Sequence, residues 1–382
     1  MSLREYLRRR RDATLADVKI GITCYPTYGG SGIVATELGL ELANRGHEVH
    51  FITYANPIRL DPGIPRIHYH EVEVSNYPLF QYPPYCLALA SRMAEVAAVY
   101  DLDLLHVHYA IPHSIAALLA KQMTANRRLP FVTTLHGTDI TLVGSDRSYF
   151  PITKFSIEQS DGVTAISTHL QERTMEFFGI ANRIRVNQNF VNCDLYRPDP
   201  ERSPKEKTLV HLSNFRPVKR VLDCVRILKE VRRSTPARLL MVGDGPDRGP
   251  AEMLARELCV TDYVSFVGKQ DHVERIIPKA HVLLMPSETE AFGLAALEAM
   301  ACGVPPVATR AGGVPELITD GADGFLEPVG DIAAQARRVA ELLTDEALYG
   351  RISSAARRTA ETRFSTALII PQYEQCYREV CA

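Results

Sequence analysis

Short apolar runs alternate with longer amphipathic stretches along most of the 382-residue chain. Runs such as Val18–Thr23, Asp103–Val107 and Phe131–Leu135 are rich in aliphatic residues and have the length of buried parallel strands. The stretches between such runs have helical periodicity, and glycine or proline marks many of their ends. Strands that alternate with helices are typical of α/β domains. The pattern therefore predicts an α/β fold built on parallel sheets.

This alternation forms two successive series, and a proline-rich segment separates them. Pro198, Pro200 and Pro204 lie among charged residues in that segment, which is typical of a linker. Because the chain is long enough for two domains of ordinary size, each series predicts one Rossmann-like domain. The predicted regions are a basic N-terminal extension (1–17), a first domain (18–195), a second domain (196–363) and a C-terminal helix that returns to the first domain (364–382).

The composition narrows the class of protein. Hydrophobic residues make up 46% and charged residues 23%, and a net charge of -2 does not suggest a nucleic-acid partner. Apolar runs stay below the roughly 20 residues that span a membrane, and no apolar secretion signal begins the chain. The eight cysteines include no C-x-x-C pair, which favours reduced thiols over disulfides or a zinc site. We expect a cytoplasmic protein without membrane insertion, whose basic extension is a solvated arm.

A helix start in the second domain has the sequence features of an anion site. The apolar run His281–Met285 predicts a buried strand, and a proline follows it directly. A helix is then predicted to begin near Phe292, with Ser287 or Thr289 as its cap.

Glu290 and Glu298 flank this predicted helix start. The N–H groups of Phe292, Gly293 and Leu294 would point out of the turn, and free N–H groups at helix ends bind anions. A nucleotide sugar suits the arrangement, with its diphosphate at the helix end and carboxylates to accept hydroxyl protons. The alternative is that both glutamates are ordinary helix and cap residues.

Cations follow the first strand of the second domain. Arg216, Lys219 and Arg220 lie between a predicted strand and a predicted helix. Positive charge is disfavoured at a helix N-terminus unless an anion binds there, so a diphosphate site is favoured over a solvated helix start. A later strand ends at Gly268 and Lys269, which we expect beside the nucleotide base.

The first domain also has polar groups at the ends of predicted strands. The glycine-rich loop that contains Gly30 and Ser31 lacks the G-x-G-x-x-G dinucleotide fingerprint, but its N–H groups can meet a phosphate or a second substrate. His136 follows a buried strand, which favours a site role over that of a core histidine.

These motifs resemble a known family. The Glu290–Glu298 spacing, followed by Ala-Cys-Gly-Val-Pro-Pro-Val and Gly-Gly-Val-Pro-Glu, resembles the E-x7-E region of retaining glycosyltransferases of family 4. The first-domain segments Cys24–Thr53, His106–His113 and Thr134–Thr141 resemble the branch of that family that uses L-malate as acceptor. The resemblance covers nearly everything from residue 18 to 380. It implies the GT-B fold, in which two Rossmann-like domains face each other across a cleft.

The resemblance also implies an activity and a set of roles. GlcNAc would pass from UDP-GlcNAc to the hydroxyl of L-malate with retention, as the first step of bacillithiol biosynthesis. The first domain would bind the acceptor and the second the donor, with no cofactor and no metal, because no D-x-D string ends a strand. A homodimer is left open. The implied site comprises catalytic residues (Glu290, His136, Lys219, Arg216), donor-binding residues (Gly30, Glu298, Phe292, Gly293, Leu294, Gly268, Lys269) and acceptor-binding residues (Ser31, Tyr109, Thr138, Lys154).

One position departs from the family pattern. The usual string is G-R-x-x-x-x-K, but Ser213 and Asn214 occupy its first two positions and the arginine, Arg216, comes two places later. Three alternatives stay open at this stage. They are another acceptor such as an inositol phosphate or a lipid-linked sugar, a UDP-GlcNAc 2-epimerase, and a nucleotide-sugar sensor without activity.

Overall fold

The chain folds into two compact units. The computed structural model describes residues 18–60, 63–75, 78–124, 127–181, 183–202 and 207–382, so the basic extension (1–17) lies outside the described residues. Unit 1 contains the described residues up to Ile166, with Gln171–Asn187 and Ile370–Ala382. Unit 2 contains Ser167–Leu170 and Gln188–Ile369. The main border thus lies after residue 187, a few residues before the predicted one.

Unit 1 is built on a parallel sheet of seven strands among its described residues, in the order β3-β2-β1-β4-β5-β6-β7. The strands are β1 (Lys19–Thr23), β2 (Glu48–Thr53), β3 (Ile67–Glu71), β4 (Leu104–His108), β5 (Phe131–Leu135), β6 (Gly162–Ala165) and β7 (Ile184–Val186). The helices between them are α1 (Gly30–Asn44), α2 (Tyr85–Tyr100), α3 (Ile115–Met123), α4 (Phe150–Glu158) and α5 (Thr168–Phe178).

The core of unit 1 forms where helices cover the sheet. Leu89 and Met93 of α2 share one fully buried cluster with Leu105 of β4 and Phe131 of β5. Full burial of such a side chain contributes about 1.5–3 kcal/mol, which explains why near-continuous apolar runs form the central strands.

Unit 2 repeats this architecture with six strands among its described residues, in the order β10-β9-β8-β11-β12-β13. The strands are β8 (Thr208–Ser213), β9 (Arg238–Gly243), β10 (Val264–Gly268), β11 (Val282–Met285), β12 (Pro306–Thr309) and β13 (Phe325–Glu327). The helices are α6 (Val221–Val231), α7 (Arg248–Glu257), α8 (Leu294–Ala301), α9 (Val314–Leu317), α10 (Ile332–Thr344) and α11 (Glu346–Arg363), and the last helix, α12 (Thr366–Cys381), only begins in this unit.

The last helix, α12, returns to the first sheet as predicted. Its residues from Ile370 onward belong to unit 1. Tyr377 Oη is 2.7 Å from Nδ1 of the buried His106 on β4, and Glu374 accepts hydrogen bonds from Arg45 at 2.7 and 2.9 Å. These polar contacts fix the helix against unit 1 because each is buried or partly buried.

Both sheets have the strand order that creates a ligand site. In unit 1 the order reverses between β1 and β4, and in unit 2 between β8 and β11. Open parallel sheets bind ligands beyond the carboxyl ends of the strands at such a reversal. The residues that follow β1, β4, β8 and β11 are therefore the candidates for ligand contact. No helix in the described ranges is long and apolar enough to cross a membrane.

Candidate active site

The loop that follows β11 holds Glu290 in a partly buried ion pair. Glu290 Oε1 accepts a hydrogen bond from Lys219 Nζ at 2.6 Å and one from Ser287 Oγ at 2.8 Å. The side chains of Lys219 and Glu290 are only 22% and 14% exposed. Removal from water strengthens the attraction between the charges, although it also carries a desolvation cost. Glu290, which is predicted to act at the reacting sugar, thus directly contacts Lys219, which is predicted to act at the diphosphate.

The helix start near this loop agrees with the prediction in its position and differs in its cap. Helix α8 begins at Leu294, two residues after Phe292, and Gly293 is its N-cap with φ of 101°, a left-handed conformation that favours glycine. The prediction that Ser287 or Thr289 caps the helix is wrong, because the cap makes no side-chain hydrogen bond and the Ser287 hydroxyl binds Glu290.

Phe292 has a structural role in this turn. Its ring is 1% exposed and packs edge-to-face against Phe364 with ring centroids 5.5 Å apart. Leu294 lies in the first turn of α8, where N–H groups have no partner within the helix. The predicted anion site therefore centres on the Leu294 end of the three-residue segment.

A second turn holds the backbone of Glu290 in place. Gly313 N donates a hydrogen bond to Glu290 O at 2.9 Å. A Cβ atom on Gly312, whose φ is 59°, would lie 1.9 Å from the same carbonyl oxygen. Only glycine permits this close approach, so the two glycines of the Gly-Gly-Val-Pro-Glu string have the physical role of positioning the Glu290 backbone.

Glu298 is nearly inaccessible. It is 3% exposed on α8, and its Oε1 accepts a hydrogen bond from Tyr196 Oη at 2.8 Å. Tyr196 is itself held, because its carbonyl oxygen accepts a hydrogen bond from Arg357. Sequence reasoning did not identify Tyr196, since nothing in its local sequence relates it to a glutamate 102 residues later.

The three cations after β8 differ in their environment. Glu288 N donates to Val218 O at 2.8 Å, which joins the Lys219 loop to the Glu290 loop. Arg220 donates to Asp223 at 2.6 Å and so supports the start of α6. Arg216 is exposed, and its guanidinium has no hydrogen-bond or ion-pair partner within the described part of the chain. Arg216 is therefore the cation that a ligand can recruit without breaking an existing pair.

The two residues predicted beside the nucleotide base lie at the end of a strand that is not adjacent to β8. Gly268 ends β10 with φ of 71°, and the exposed Lys269 follows it. β10 is the edge strand, two positions from β8. Neighbouring strands lie about 4.8 Å apart, so the two loops start roughly 10 Å from each other. Their role at the base stays a prediction.

In unit 1 a pair of histidines lies at the carboxyl ends of β4 and β5. His108 Nδ1 and His136 Nε2 are 2.9 Å apart, and both residues are buried. Burial lowers the pKa of His136 to about 3, and the pKa of His108 is also well below its usual value. Both rings are therefore neutral near pH 7, so the contact is a hydrogen bond between imidazoles.

Two imidazole nitrogens in this region have no hydrogen-bond partner among the described residues. They are His108 Nε2 and His113 Nε2, both buried. His113 Nδ1 donates to His108 O at 2.6 Å, so His113 Nε2 carries no proton and can only accept a hydrogen bond. Buried polar atoms are costly when unpaired, which makes both nitrogens candidates for ligand contact.

Asp139 organises the loop around His136. Its carboxylate accepts hydrogen bonds from the backbone N–H groups of Ala110, His136 and Gly137 at 2.8–3.2 Å. Burial raises the pKa of Asp139 to about 6, although these donors oppose the shift. The geometry of the turn thus depends on the Asp139 side chain, which the sequence shows only as one residue of the Thr134–Thr141 segment. The Tyr109 ring lies over His136, with centroids 6.1 Å apart and planes inclined by 18°.

The remaining predicted site residues of unit 1 are spread over three elements. Gly30 and Ser31 form the first turn of α1, and the first backbone N–H bonded back to the cap is that of Ile33. Thr138 is half-buried in the turn after His136. Lys154 on α4 lies 3.8 Å from Glu158 and is 37% exposed. Their binding roles stay predictions.

Comparison with known proteins identifies the two domains. Residues 28–195 match the family model "Glycosyltransferase Family 4", and residues 194–359 match "Glycosyl transferases group 1". A relative from Bacillus anthracis, named N-acetyl-alpha-D-glucosaminyl L-malate synthase, is 48% identical over 371 residues, which is 95% of this chain and 97% of the relative. A GDP-mannose-dependent alpha-(1-6)-phosphatidylinositol monomannoside mannosyltransferase from Mycolicibacterium smegmatis is 29% identical over 71% of this chain and 75% of its own length.

A solved structure has the same fold. Anabaena HepE, in complex with UDP and glucose, has a TM-score of 0.79 at 20% identity and covers 94% of this chain and 98% of its own. The predicted GT-B fold class, with its two Rossmann-like domains, is confirmed. With both domain models matched and a relative 48% identical along nearly its whole length, the chain belongs to the glycosyltransferases, with a family 4 domain followed by a group 1 domain.

Proposed function

We propose that this glycosyltransferase transfers GlcNAc from UDP-GlcNAc to the hydroxyl of L-malate with retention at the anomeric carbon. The product is N-acetyl-alpha-D-glucosaminyl L-malate, the first intermediate of bacillithiol biosynthesis. The observation that carries the proposal is the 48% identity to the Bacillus anthracis synthase over 95% of this chain, which includes the first domain. We also propose a cytoplasmic location and no cofactor. A homodimer is not required by the proposal.

The donor half of the proposal rests on the charges of unit 2. Lys219, Arg216 and the N-terminus of α8 would neutralise the charge that develops on the β-phosphate as UDP departs. Glu290 would accept hydrogen bonds from sugar hydroxyls, and Glu298 would accept them from the ribose. The 2.6 Å pair between Lys219 and Glu290 supports this division, because a cation and a carboxylate are held side by side where phosphate and sugar would meet.

The transfer step needs no protein nucleophile in this proposal. The bond between the anomeric carbon and the β-phosphate oxygen breaks, and the malate hydroxyl oxygen attacks from the same face. The hydroxyl proton passes to the departing phosphate oxygen, so atoms and charge balance. No divalent ion is invoked, since protein cations and helix N–H groups take the charge.

The acceptor half rests on neutral donors and acceptors of unit 1. Because burial lowers the pKa of His136 to about 3, this residue would act as a neutral hydrogen-bonding group and not as a cation for malate. Malate carries two carboxylates, so positive charge or N–H groups must come from elsewhere. Lys154 and the first turn of α1, with Gly30 and Ser31, are the candidates, and Tyr109 and Thr138 would add hydroxyl contacts.

The experiment measures UDP release by the purified protein from UDP-GlcNAc with a panel of acceptors, in the presence and absence of excess EDTA. We expect release with L-malate, a much lower rate with inositol phosphate, and no loss in EDTA. Loss of activity in EDTA with recovery on magnesium would contradict the metal-free mechanism while leaving the acceptor assignment intact. Product NMR determines whether the new bond retains the α configuration.

A second candidate keeps the reaction class and changes the acceptor. The Mycolicibacterium relative is named for a phosphatidylinositol monomannoside acceptor, which favours an inositol-containing alternative. Equal or faster turnover with inositol phosphate than with malate would support this alternative and overturn the malate assignment.

A further inference from the structure

A cluster of four side chains in unit 1 lies outside the candidate active site. Glu48 and His50 of β2 are two residues apart and so project from the same face of the sheet, and His68 and His70 of β3 do the same. The parallel register pairs His50 with His68, which brings both sets of side chains to one face. We call this group the β2–β3 histidine cluster.

Three members of the cluster converge on one point. Glu48 Oε1 is 3.2 Å from His50 Nε2 and 3.4 Å from His68 Nε2, and one ligand atom from each residue lies within 4.8 Å of the others. Ligands bound to zinc at about 2.0–2.1 Å in a tetrahedral arrangement lie roughly 3.3 Å apart. The two Glu–His separations match those between zinc ligands, and without an ion the 3.2 Å contact is a hydrogen bond between His50 and Glu48.

We propose that Glu48, His50 and His68 bind a Zn²⁺ ion, with water in the fourth position. Two imidazoles and one carboxylate form a donor set that suits zinc better than magnesium or calcium, which prefer oxygen ligands alone. His68 is 44% exposed whereas His50 is fully buried, so the ion has access from solvent and a rigid inner ligand.

Groups around the three ligands orient them. His50 Nδ1 is 2.9 Å from His70 Nε2, and a hydrogen bond at the second nitrogen of a ligating histidine fixes its ring. The His50 ring also stacks on those of His68 and His70, with centroids 4.6 and 5.1 Å apart. Lys19 Nζ, 3.4 Å from Glu48 Oε2, opposes binding of a cation, and Tyr100 O offers it a competing partner at 3.0 Å.

The location separates the ion from the transfer reaction. Glu48 is the first residue of β2, Lys19 is the first of β1, and Tyr100 ends α2, so the cluster lies toward the amino ends of the strands. The candidate acceptor residues follow the carboxyl ends. Zinc would tie β3, the edge strand of the sheet, to β2.

The experiment compares zinc affinity of the whole protein and two variants by competition with a chromophoric chelator. The wild type is expected to bind one equivalent with a dissociation constant on the order of micromolar and to gain thermal stability with ZnCl₂. His68→Asn and Glu48→Gln should each weaken binding at least tenfold, since loss of even an outer-shell partner costs roughly 10–100-fold. Neither should gain stability from zinc at the concentrations that stabilise the wild type.

His272→Asn is the matched control. It removes an exposed imidazole 3.1 Å from a carboxylate, that of Glu274, but this pair belongs to no group of three possible ligands among the described residues. Its zinc affinity should equal that of the wild type. Equal affinity in the wild type and in both cluster variants, whose folding is checked by their metal-free melting temperatures, would overturn the proposal. So would a wild type that binds no equivalent of zinc.

Discussion

The reversal points of the two sheets are similar in topology and opposite in chemistry. In unit 2 the strand ends carry full charges, with Lys219 and Glu290 in a 2.6 Å pair and the exposed Arg216 three residues before Lys219. In unit 1 the corresponding edge carries neutral groups, chiefly His108 and His136, whose pKa values are lowered by burial. The same parallel-sheet scaffold thus supports two different kinds of site.

The difference follows from what each site is proposed to stabilise. A departing diphosphate gains negative charge in the transition state, and fixed cations stabilise that charge without reorganisation. A small acceptor must instead be selected and oriented, and directional hydrogen bonds from rigid neutral groups would orient it while Lys154 and the first turn of α1 meet the malate carboxylates. Burial makes His136 rigid, because the residue is only 8% exposed and its backbone N–H donates a hydrogen bond to Asp139.

The largest effect is expected when a cation is removed from the charged site of unit 2. Lys219→Ala should lower kcat with malate by about 10²–10³, the range seen when one preorganised transition-state donor is lost. Single-turnover kinetics with UDP-GlcNAc and malate measure the effect on the chemical step. Replacement of Arg216 by Ala should cost less, about tenfold, because an exposed cation is screened by water and loses entropy when it pairs.

A double variant tests whether Lys219 acts on substrate. If the lysine only neutralised Glu290, Lys219→Ala/Glu290→Gln would recover turnover, because no unpaired carboxylate would remain. We expect no recovery. A double variant as active as Glu290→Gln alone would remove Lys219 from the proposed machinery.

A smaller effect separates binding from chemistry within unit 2. Glu298→Gln should weaken UDP binding by roughly 10–100-fold, because a hydrogen bond to a charged group contributes about 1.5–3 kcal/mol. Turnover at saturating donor should change much less, since the ribose is remote from the bond that breaks. Calorimetric titration with UDP and steady-state kinetics measure the two effects.

Tyr196→Phe is the control for this prediction. It removes the 2.8 Å hydrogen bond to Glu298 and keeps both the carboxylate and the ring. Weaker UDP binding in Glu298→Gln than in Tyr196→Phe supports direct contact with the nucleotide. Equal losses in the two variants would mean that Glu298 acts through its contact with Tyr196.

A last prediction concerns stability instead of turnover, and it sharpens the comparison through pH. His106 and His136 have pKa values lowered to about 3 by burial, and His113 to about 4. The unfolded chain binds these protons below pH 6.5 whereas the folded chain does not, so stability is present above pH 6.5 and is lost as pH falls toward 4. The slope is about 1.4 kcal/mol per pH unit for each histidine. Asp139, with its pKa raised to about 6, opposes the loss because its folded form takes up a proton first.

Hydrogen exchange read by mass spectrometry at pH 7 and pH 5 measures this difference. Peptides from β4 and β5 should lose protection more than peptides from β8 and β11, where His211, with a pKa lowered to about 4, is the comparable buried group. Equal losses in the two sheets would contradict the contrast between a neutral and a charged site.

Much of the fold could be predicted from local pattern, and the errors have clear causes. The central strands were found because near-continuous apolar runs need burial on both faces. The start of α8 was found to within two residues, but the packing of the Phe292 ring on Phe364, 72 residues away, could not be read from the local pattern. The prediction that Ser287 caps this helix was wrong because the Ser287 hydroxyl binds the Glu290 carboxylate instead of a helix N–H group.

The sequence by itself determined the two α/β series, the order of their elements and the strand ends that carry Glu290, Lys219 and His136. It could do so because strand and helix periodicity are local, and glycine, proline and charge mark the ends of elements. Only the tertiary structure decided which of those groups meet. The contacts of Lys219 with Glu290, Tyr196 with Glu298, His108 with His136, and Glu48 with His68 join residues 20 to 102 positions apart. Strand order and register bring these residues into contact, and burial then lowers the pKa of the histidines. A linear sequence pattern contains neither effect.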